Sequence, residues 1–298
     1  MKTMMERLRA GEVLVCDGAM GTQLMERGLT AGECPEEWCV SHPEAVRAIA
    51  AAYVESGADI VETNSFGGST HKLEAYGMSD RLAELNRAAA ELAREAMGVQ
   101  GYVAGSVGPT GLFVQGEGGR IAASELYDSF ARQAIALAEG GADAICVETM
   151  WSVKEAAQAI KATKENTTLA AICTFTFNAG PKGYRTSVGV SPEKAALAAL
   201  EAGADVVGAN CGNGIEQMIE IARLMRSAAP GAVIMIQANA GLPVFEDGKT
   251  FYRQSPEFMA QRVGELIAAG ANIVGGCCGT TPAHIAAICG ACRELAGK

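Results

Sequence analysis

The sequence predicts an α/β protein: a single (β/α)8 barrel of the TIM type, with its site at the C-terminal ends of the strands. Two observations carry that expectation. A phrase made of glycine, alanine, a short polar residue and an apolar run occurs at Gly57-Ala58-Asp59-Ile60-Val61, Gly141-Ala142-Asp143-Ala144-Ile145, Gly203-Ala204-Asp205-Val206-Val207 and Gly270-Ala271-Asn272-Ile273-Val274. Between these phrases lie four more apolar runs, which brings the count to eight strands in 298 residues. Strand and helix alternating at that spacing fit a parallel barrel better than an open doubly wound sheet.

The elements follow in order. The run at 13–16 is the first strand, and Pro43-Glu44 marks a helix start with proline and an acid in the first turn. Gly57 sits where a helix ends in a left-handed cap, and the apolar run after it is the second strand. The run at 102–107 is the third strand, and the Gly141 joint leads into the fourth. The run at 169–175 is the fifth, after which Ser191-Pro192-Glu193 supplies a capping residue, a first-turn proline and an early acid. The Gly203 joint opens the sixth strand and the run at 233–237 is the seventh. Ser255-Pro256-Glu257 repeats the helix signal, the Gly270 joint opens the eighth strand, and Thr281-Pro282 starts the last helix. No linker, low-complexity segment or composition break divides the chain, so one domain over 1–298 is expected.

Composition removes several function classes. A net charge of -10 without any Lys/Arg cluster repels phosphate backbones, so nucleic acid is not an expected partner. No apolar run approaches the roughly eighteen residues of a membrane span, and Glu6, Arg7 and Arg9 stand where a secretory signal would be apolar. A cytoplasmic protein without membrane contact is expected. The 10 cysteines then read as reduced: metal ligands, nucleophiles or small buried hydrophobes. Cys16, Cys146 and Cys173 lie inside strand-like runs and are expected in the core, as are Cys34, Cys39, Cys289 and Cys292, although the last two form a CxxC.

The four repeats also align a site. Seven residues on from each first glycine stand Asn64, Glu148, Asn210 and Cys277, and one further stand Ser65, Thr149, Cys211 and Cys278. Apolar strands thus end in polar or thiol groups at one height. Successive strand residues point to opposite faces, so Cys277 and Cys278 can share an ion only if the backbone leaves strand geometry, which Gly275, Gly276 and Gly279 permit. With Cys211 they offer three thiolates, a soft set suited to Zn2+, with an open fourth position. Two other readings stay open: simple burial of the cysteines, and a closed structural site with His284 as fourth ligand. His284, in the first turn after Pro282, is expected at the surface. Three thiolates over-neutralise zinc and make it a poor activator of water; a substrate thiol in the open position would instead be held as an electron-rich thiolate. The chemistry expected is alkylation of that thiol.

The motifs Gly275-Gly276-Cys277-Cys278-Gly279-Thr280-Thr281-Pro282, Ala209-Asn210-Cys211-Gly212, Asp17-Gly18-Ala19-Met20-Gly21-Thr22 and Glu62-Thr63-Asn64-Ser65-Phe66-Gly67 together resemble the homocysteine S-methyltransferase family. The likeness is greatest to the homocysteine-binding module of cobalamin-dependent methionine synthases. It implies zinc on Cys211, Cys277 and Cys278, with homocysteine sulfur as the further ligand. It also implies that Glu148 receives the substrate ammonium and that N–H groups of the loop of Asp17, Gly18, Ala19 and Met20 receive its carboxylate. Asn239 matches a residue able to occupy zinc before substrate arrives, although Ala238 stands where those modules often carry proline. No Asp-x-His-x-x-Gly cobalamin motif surrounds His42, His71 or His284. Methylcobalamin would therefore come in trans, on a corrinoid protein or on corrinoid and folate modules. Betaine or S-methylmethionine would need a pocket for a cationic centre, for which Trp38, Trp151 and Phe66 are the candidates. A thiol-binding or zinc-binding subunit without turnover of its own is the remaining alternative.

Overall fold

The computed structural model describes residues 2–115, 117–246 and 249–297; the remaining positions, including both ends of the expected 1–298 domain, lie outside it. The described residues form ten strands: β1 (Leu14–Val15), β2 (Ile60–Glu62), β3 (Tyr102–Val107), β4 (Ala144–Met150), β5 (Ala170–Phe175), β6 (Val206–Asn210), β7 (Val233–Ala238), β8 (Val244–Glu246), β9 (Lys249–Phe251) and β10 (Ile273–Gly276). Eight form one parallel sheet in the order β1-β10-β7-β6-β5-β4-β3-β2. A parallel bridge between Cys16 and Ile60 joins its two edges, and the Asp17 N–H donates to the Ile60 carbonyl at 3.0 Å. The sheet therefore closes into the expected TIM-type (β/α)8 barrel with helices around it. The antiparallel pair β8 and β9, an insertion after the seventh barrel strand, is additional to the eight strands expected.

The repeated phrase explains how alternate strands are locked. Gly57, Gly141, Gly203 and Gly270 have φ of 98°, 97°, 99° and 112°, the left-handed region in which glycine avoids the Cβ clash. Two residues on, each polar side chain caps the strand next door. Asp59 accepts from the Val15 N–H at 2.9 Å, Asp143 from Val103 at 2.8 Å, Asp205 from Ala171 at 2.9 Å and Asn272 from Ile234 at 2.9 Å. The same four residues donate their own N–H groups to the carbonyls of Val15, Val103, Ala171 and Ile234. A cation attends each: Arg7, Arg94, Lys164 and Arg226. These clamps lie at the N-terminal ends of the strands, the face of such barrels that serves stability.

The interior is filled by Leu14, Cys16, Ile60, Tyr102, Cys146 and Ile172 among others, and is closed from below by Met4 and Leu8 of the helix Met4–Arg9. Burying each large aliphatic side chain contributes about 1.5–3 kcal/mol. Cys16, Cys146 and Cys173 are fully buried, as expected, and so nearly are Cys34, Cys39 and Cys289; Cys292 is half-buried. The four helix starts read from the sequence open helices at Pro43, Pro192, Pro256 and Pro282. Among the described residues no helix is long and apolar enough to cross a membrane.

Candidate metal and thiol site

The site is assembled where β6 and β10 end. Asn210 pairs with Gln237 and Gly276 with Ala238, so Cys211 and Cys277 are the first residues past the ladder at neighbouring heights. Their N–H groups still bond to β7, to the Gln237 and Ala238 carbonyls at 3.2 and 2.8 Å. Beyond them the chain leaves strand geometry. Cys211 has φ +58° and Gly279 φ +78°. Thr280 turns back onto the Cys277 carbonyl through its N–H (3.1 Å) and hydroxyl (2.7 Å), while the Ala240 N–H holds the Cys278 carbonyl at 3.0 Å. A Cβ at Gly279 would lie 2.0 Å from the Tyr252 ring, so no larger residue fits there.

These turns bring three sulfur atoms together. The Sγ atoms of Cys211 and Cys278 are 3.7 Å apart, and all three, with Cys277, lie within 4.8 Å of one another. Two thiolates bound at about 2.3 Å to a tetrahedral zinc stand about 3.8 Å apart, so the donor set fits that ion in number, softness and spacing. Hydrogen bonds from Cys211 and Cys277 draw the Cys278 thiol down to about 3, while Cys211 and then Cys278 push Cys277 up; Cys211, lowered by Cys277, is raised on balance by Cys278 and by burial. Asn239 is 2% exposed and its Oδ1 has no partner among the described residues, beside a chain segment bonded to Cys278.

A cavity of about 390 Å³ opens onto the cluster, and all of the eight register-aligned residues except Asn210 line it. Glu148 stands in its wall, 8% exposed, with Oε1 accepting from the Ser106 hydroxyl and Oε2 from the Asn210 amide at 2.9 Å. Burial, reinforced by Glu62, pushes its pKa well above the usual carboxylate range. Burial likewise raises Glu62 to about 7 and Asp17 to about 8. No lysine or arginine lines the cavity among the described residues. The electrostatic demand of the site is therefore for positive charge, which an ammonium group and a divalent ion both meet.

The loop after β1 forms another wall. Asp17 itself is buried beneath that wall and does not line the cavity, its carboxylate accepting from the Glu62 N–H at 2.9 Å, and the Ala19 N–H donates to Thr280 Oγ1 at 3.1 Å. The N–H groups of Gly18 and Met20 have no acceptor among the described residues, and both residues line the cavity.

Two expectations change. His284 is not a surface residue: it is 7% exposed, its Nδ1 accepts from the Thr281 N–H at 3.2 Å, and its Nε2 faces the Gln254 carbonyl at 2.9 Å. Both ring nitrogens are thus engaged away from the thiols, because the helix start packs beneath the chain at Gln254. Nor do the three aromatic candidates converge. Trp38 is buried against His42, Trp151 meets Phe113 edge-on at 4.8 Å, and only Phe66 lines the cavity. Glu62, Ser106, Asn210 and Thr280 shape the site without having been assigned roles from sequence. A signal existed for Glu62, which stands five residues past Gly57 where the other repeats carry Cys146, Gly208 and Gly275.

With this geometry in view, similarity to known proteins becomes informative. The family model described as homocysteine S-methyltransferase matches residues 14–292. The methionine synthase of Mycobacterium tuberculosis is 34% identical over 299 residues, covering 95% of this chain and 25% of that protein. The methionine synthase of Mycobacterium leprae is 34% identical over 292 residues, covering 93% and 24%. The chain thus spans about a quarter of the length of these curated relatives. Among solved structures, the metallated form of the homocysteine methyltransferase MmuM from Escherichia coli shares the fold, with a TM-score of 0.78, 23% identity and coverage of 95% of this chain and 99% of that one.

Proposed function

The chain belongs to the homocysteine S-methyltransferase family, and on that premise we propose that it binds homocysteine as a zinc-held thiolate and methylates it to methionine. The observation that carries this reading is the sulfur triangle of Cys211, Cys277 and Cys278 opening into the same cavity as the buried carboxylate of Glu148. Zinc on the three thiolates would lower the pKa of the incoming thiol while leaving its sulfur electron-rich. Everything else falls to the chain's own side chains and amides. Glu148, fixed at both oxygens by Ser106 and Asn210, receives the ammonium and is held ionised by it. The N–H groups of Gly18 and Met20 receive the carboxylate. Asn239, with its unpartnered Oδ1, would be the residue able to complete the protein's ligand set when no substrate thiol is bound. The 1–298 chain acts as one domain in this scheme and is cytoplasmic.

We assign the methyl donor as a methylcorrinoid carried by another protein or module. Support comes from the relatives, methionine synthases about four times as long as this chain, and from the three candidate aromatics for a small onium donor, of which only Phe66 lines the cavity. In the transfer the thiolate sulfur forms the new bond to the methyl carbon, and the donor keeps the electron pair of the bond that breaks. The test is cobalt substitution followed by titration with homocysteine, then assay of methionine from methylcobalamin, betaine and S-methylmethionine. Thiolate-to-cobalt bands that shift with one equivalent of homocysteine support the open site, and the donor that yields methionine identifies itself. Bands indifferent to homocysteine would withdraw the reading, and a homocysteine response without turnover of any donor would favour a thiol-presenting subunit.

A further inference from the structure

Asn210 is fully buried at the end of β6 and is the one register-aligned residue that does not line the cavity. Its side-chain amide is nonetheless saturated. Oδ1 accepts from the Thr149 N–H at 2.7 Å and from the Thr174 hydroxyl at 2.8 Å. Nδ2 donates to Glu148 Oε2 at 2.9 Å and to Thr149 Oγ1 at 2.7 Å, and lies 3.9 Å from Cys277 Sγ. Because a backbone N–H can only donate, the Thr149 bond fixes which end of the amide is oxygen, so the NH2 must face the carboxylate and the sulfur. One neutral donor therefore stands between two groups that are anionic in the working site. The residue after it is Cys211, whose N–H is held by the Gln237 carbonyl at 3.2 Å.

We infer that Asn210 is a positioning residue that sets the separation and orientation of the Glu148 carboxylate relative to the three-thiol cluster, and thereby selects amino thiols of homocysteine length. This rests on the reading above in which Glu148 receives the ammonium and the thiols hold a metal. The two anchors of the substrate are not independent: the carboxylate is pinned by the Asn210 side chain and one sulfur belongs to Cys211, the next residue in the chain. A thiol shorter by one methylene must give up part of one anchor to keep the other, so wild type should bind L-cysteine more weakly than L-homocysteine, and a thiol without an ammonium loses one anchor while keeping the other.

The experiment compares cobalt-loaded wild type, Asn210→Asp and Thr174→Val for affinity toward L-homocysteine, L-cysteine and 4-mercaptobutanoate, which is homocysteine without its amino group. Metal content and cobalt-thiolate bands are recorded alongside. Wild type is expected to prefer homocysteine over 4-mercaptobutanoate by about 10–100-fold, the worth of a charge-assisted hydrogen bond. Asn210→Asp keeps the shape but turns an oxygen toward Glu148 and Cys277. It should collapse that preference to less than about threefold while lowering 4-mercaptobutanoate affinity far less, because the new oxygen replaces a 2.9 Å bond to Glu148 but stands 3.9 Å from Cys277 Sγ. Thr174→Val removes one of the two bonds on Oδ1 and should move the ratio in the same direction by less. An unchanged ratio in Asn210→Asp with cobalt bands intact overturns the inference. If that variant does not fold or take up cobalt, an unchanged ratio in Thr174→Val overturns it instead. Failure of the parent reading shows up separately, as a wild type whose bands ignore homocysteine.

Discussion

Thr149 and Cys211 adopt the same left-handed backbone, φ +57° and +58°, one residue past Glu148 in β4 and past Asn210 in β6. Among the described residues they are the two non-glycine positions with positive φ. Each conformation costs about 1–2 kcal/mol in an L-residue, more for a β-branched one. The Asn210 side chain offsets the cost at Thr149 by bonding both its N–H and its hydroxyl. The ladder register between β4 and β5 shifts over the same stretch. Two strands thus turn over at one height, and that turn takes a carboxylate and a sulfur out of the sheet and into one cavity.

Cys278→Ala is expected to abolish stoichiometric metal binding while leaving the barrel folded. The core of the barrel and its four lower clamps are remote from the sulfur cluster, and a catalytic ion in a large domain does not hold the fold together. Metal analysis should fall from one equivalent to near none, with a melting temperature within about 5 °C of the metal-free wild type. A variant that fails to fold would make the ion structural.

The lower clamps carry their own internal control. Asp205→Ala leaves the Ala171 N–H without its acceptor and should destabilise by about 1–3 kcal/mol. Asp205→Asn keeps an Oδ1 in place and should cost under about 1 kcal/mol, mostly through the exposed Lys164 pair. The fourth repeat already uses asparagine this way at Asn272. Urea unfolding of both variants decides; equal losses would mean that charge, not the cross-strand bond, matters at this position.

What the sequence made legible was local. Glycine joints, β-branched runs and proline-marked helix starts each act within a few residues, so the strands of the barrel and their order could be read directly. Counting from the joints even placed Cys211 level with Cys277 and Cys278. The β8–β9 pair escaped, although the Asp247-Gly248 pair between its strands is a familiar hairpin signal. The roles of Asp59, Asp143, Asp205 and Asn210 escaped for a deeper reason: each is defined by a bond to a different strand, and a period of polar residues does not say which neighbour's N–H a side chain will meet. His284 misled because first-turn positions are usually exposed, whereas here the Gln254 carbonyl lies over the helix start.

His284→Ala separates a structural histidine from a ligand. The Thr281 N–H donating to Nδ1 leaves the proton on Nε2, which donates to the Gln254 carbonyl. Loss of the ring strands both partners and should destabilise by about 1–3 kcal/mol with metal content unchanged. Loss of zinc from a folded His284→Ala protein would instead make it the closing ligand of a structural site.

Stability of the metal-free protein should fall as pH rises from about 5.5 to 8.5. Asp17 and Glu62 have folded-state pKa values of about 8 and about 7, raised chiefly by burial, and Glu148 is raised further for the same reason. An acid raised above its unfolded value binds more protons in the folded state, so its contribution is complete below about pH 4 and is lost as pH climbs through the folded pKa. Each such group is worth on the order of 1–3 kcal/mol across that window. Carboxylates lowered by surface partners, such as Glu84 beside Arg81, act in the opposite sense at more acid pH, and the Cys278 thiol, drawn down to about 3, opposes the decline within the window, one group against three. Melting temperatures of reduced, chelator-treated protein should therefore decline between the two pH values, and Glu62→Gln, which removes one ionisation while keeping an acceptor beside Gln237, should flatten the decline. The homocysteine ammonium would pair with Glu148 and favour its ionised form, so adding zinc and homocysteine should shrink the part of the pH dependence that Glu148 carries. A melting temperature that rises with pH, or a Glu62→Gln profile parallel to wild type, would show that these carboxyls are not the buried acids of the site.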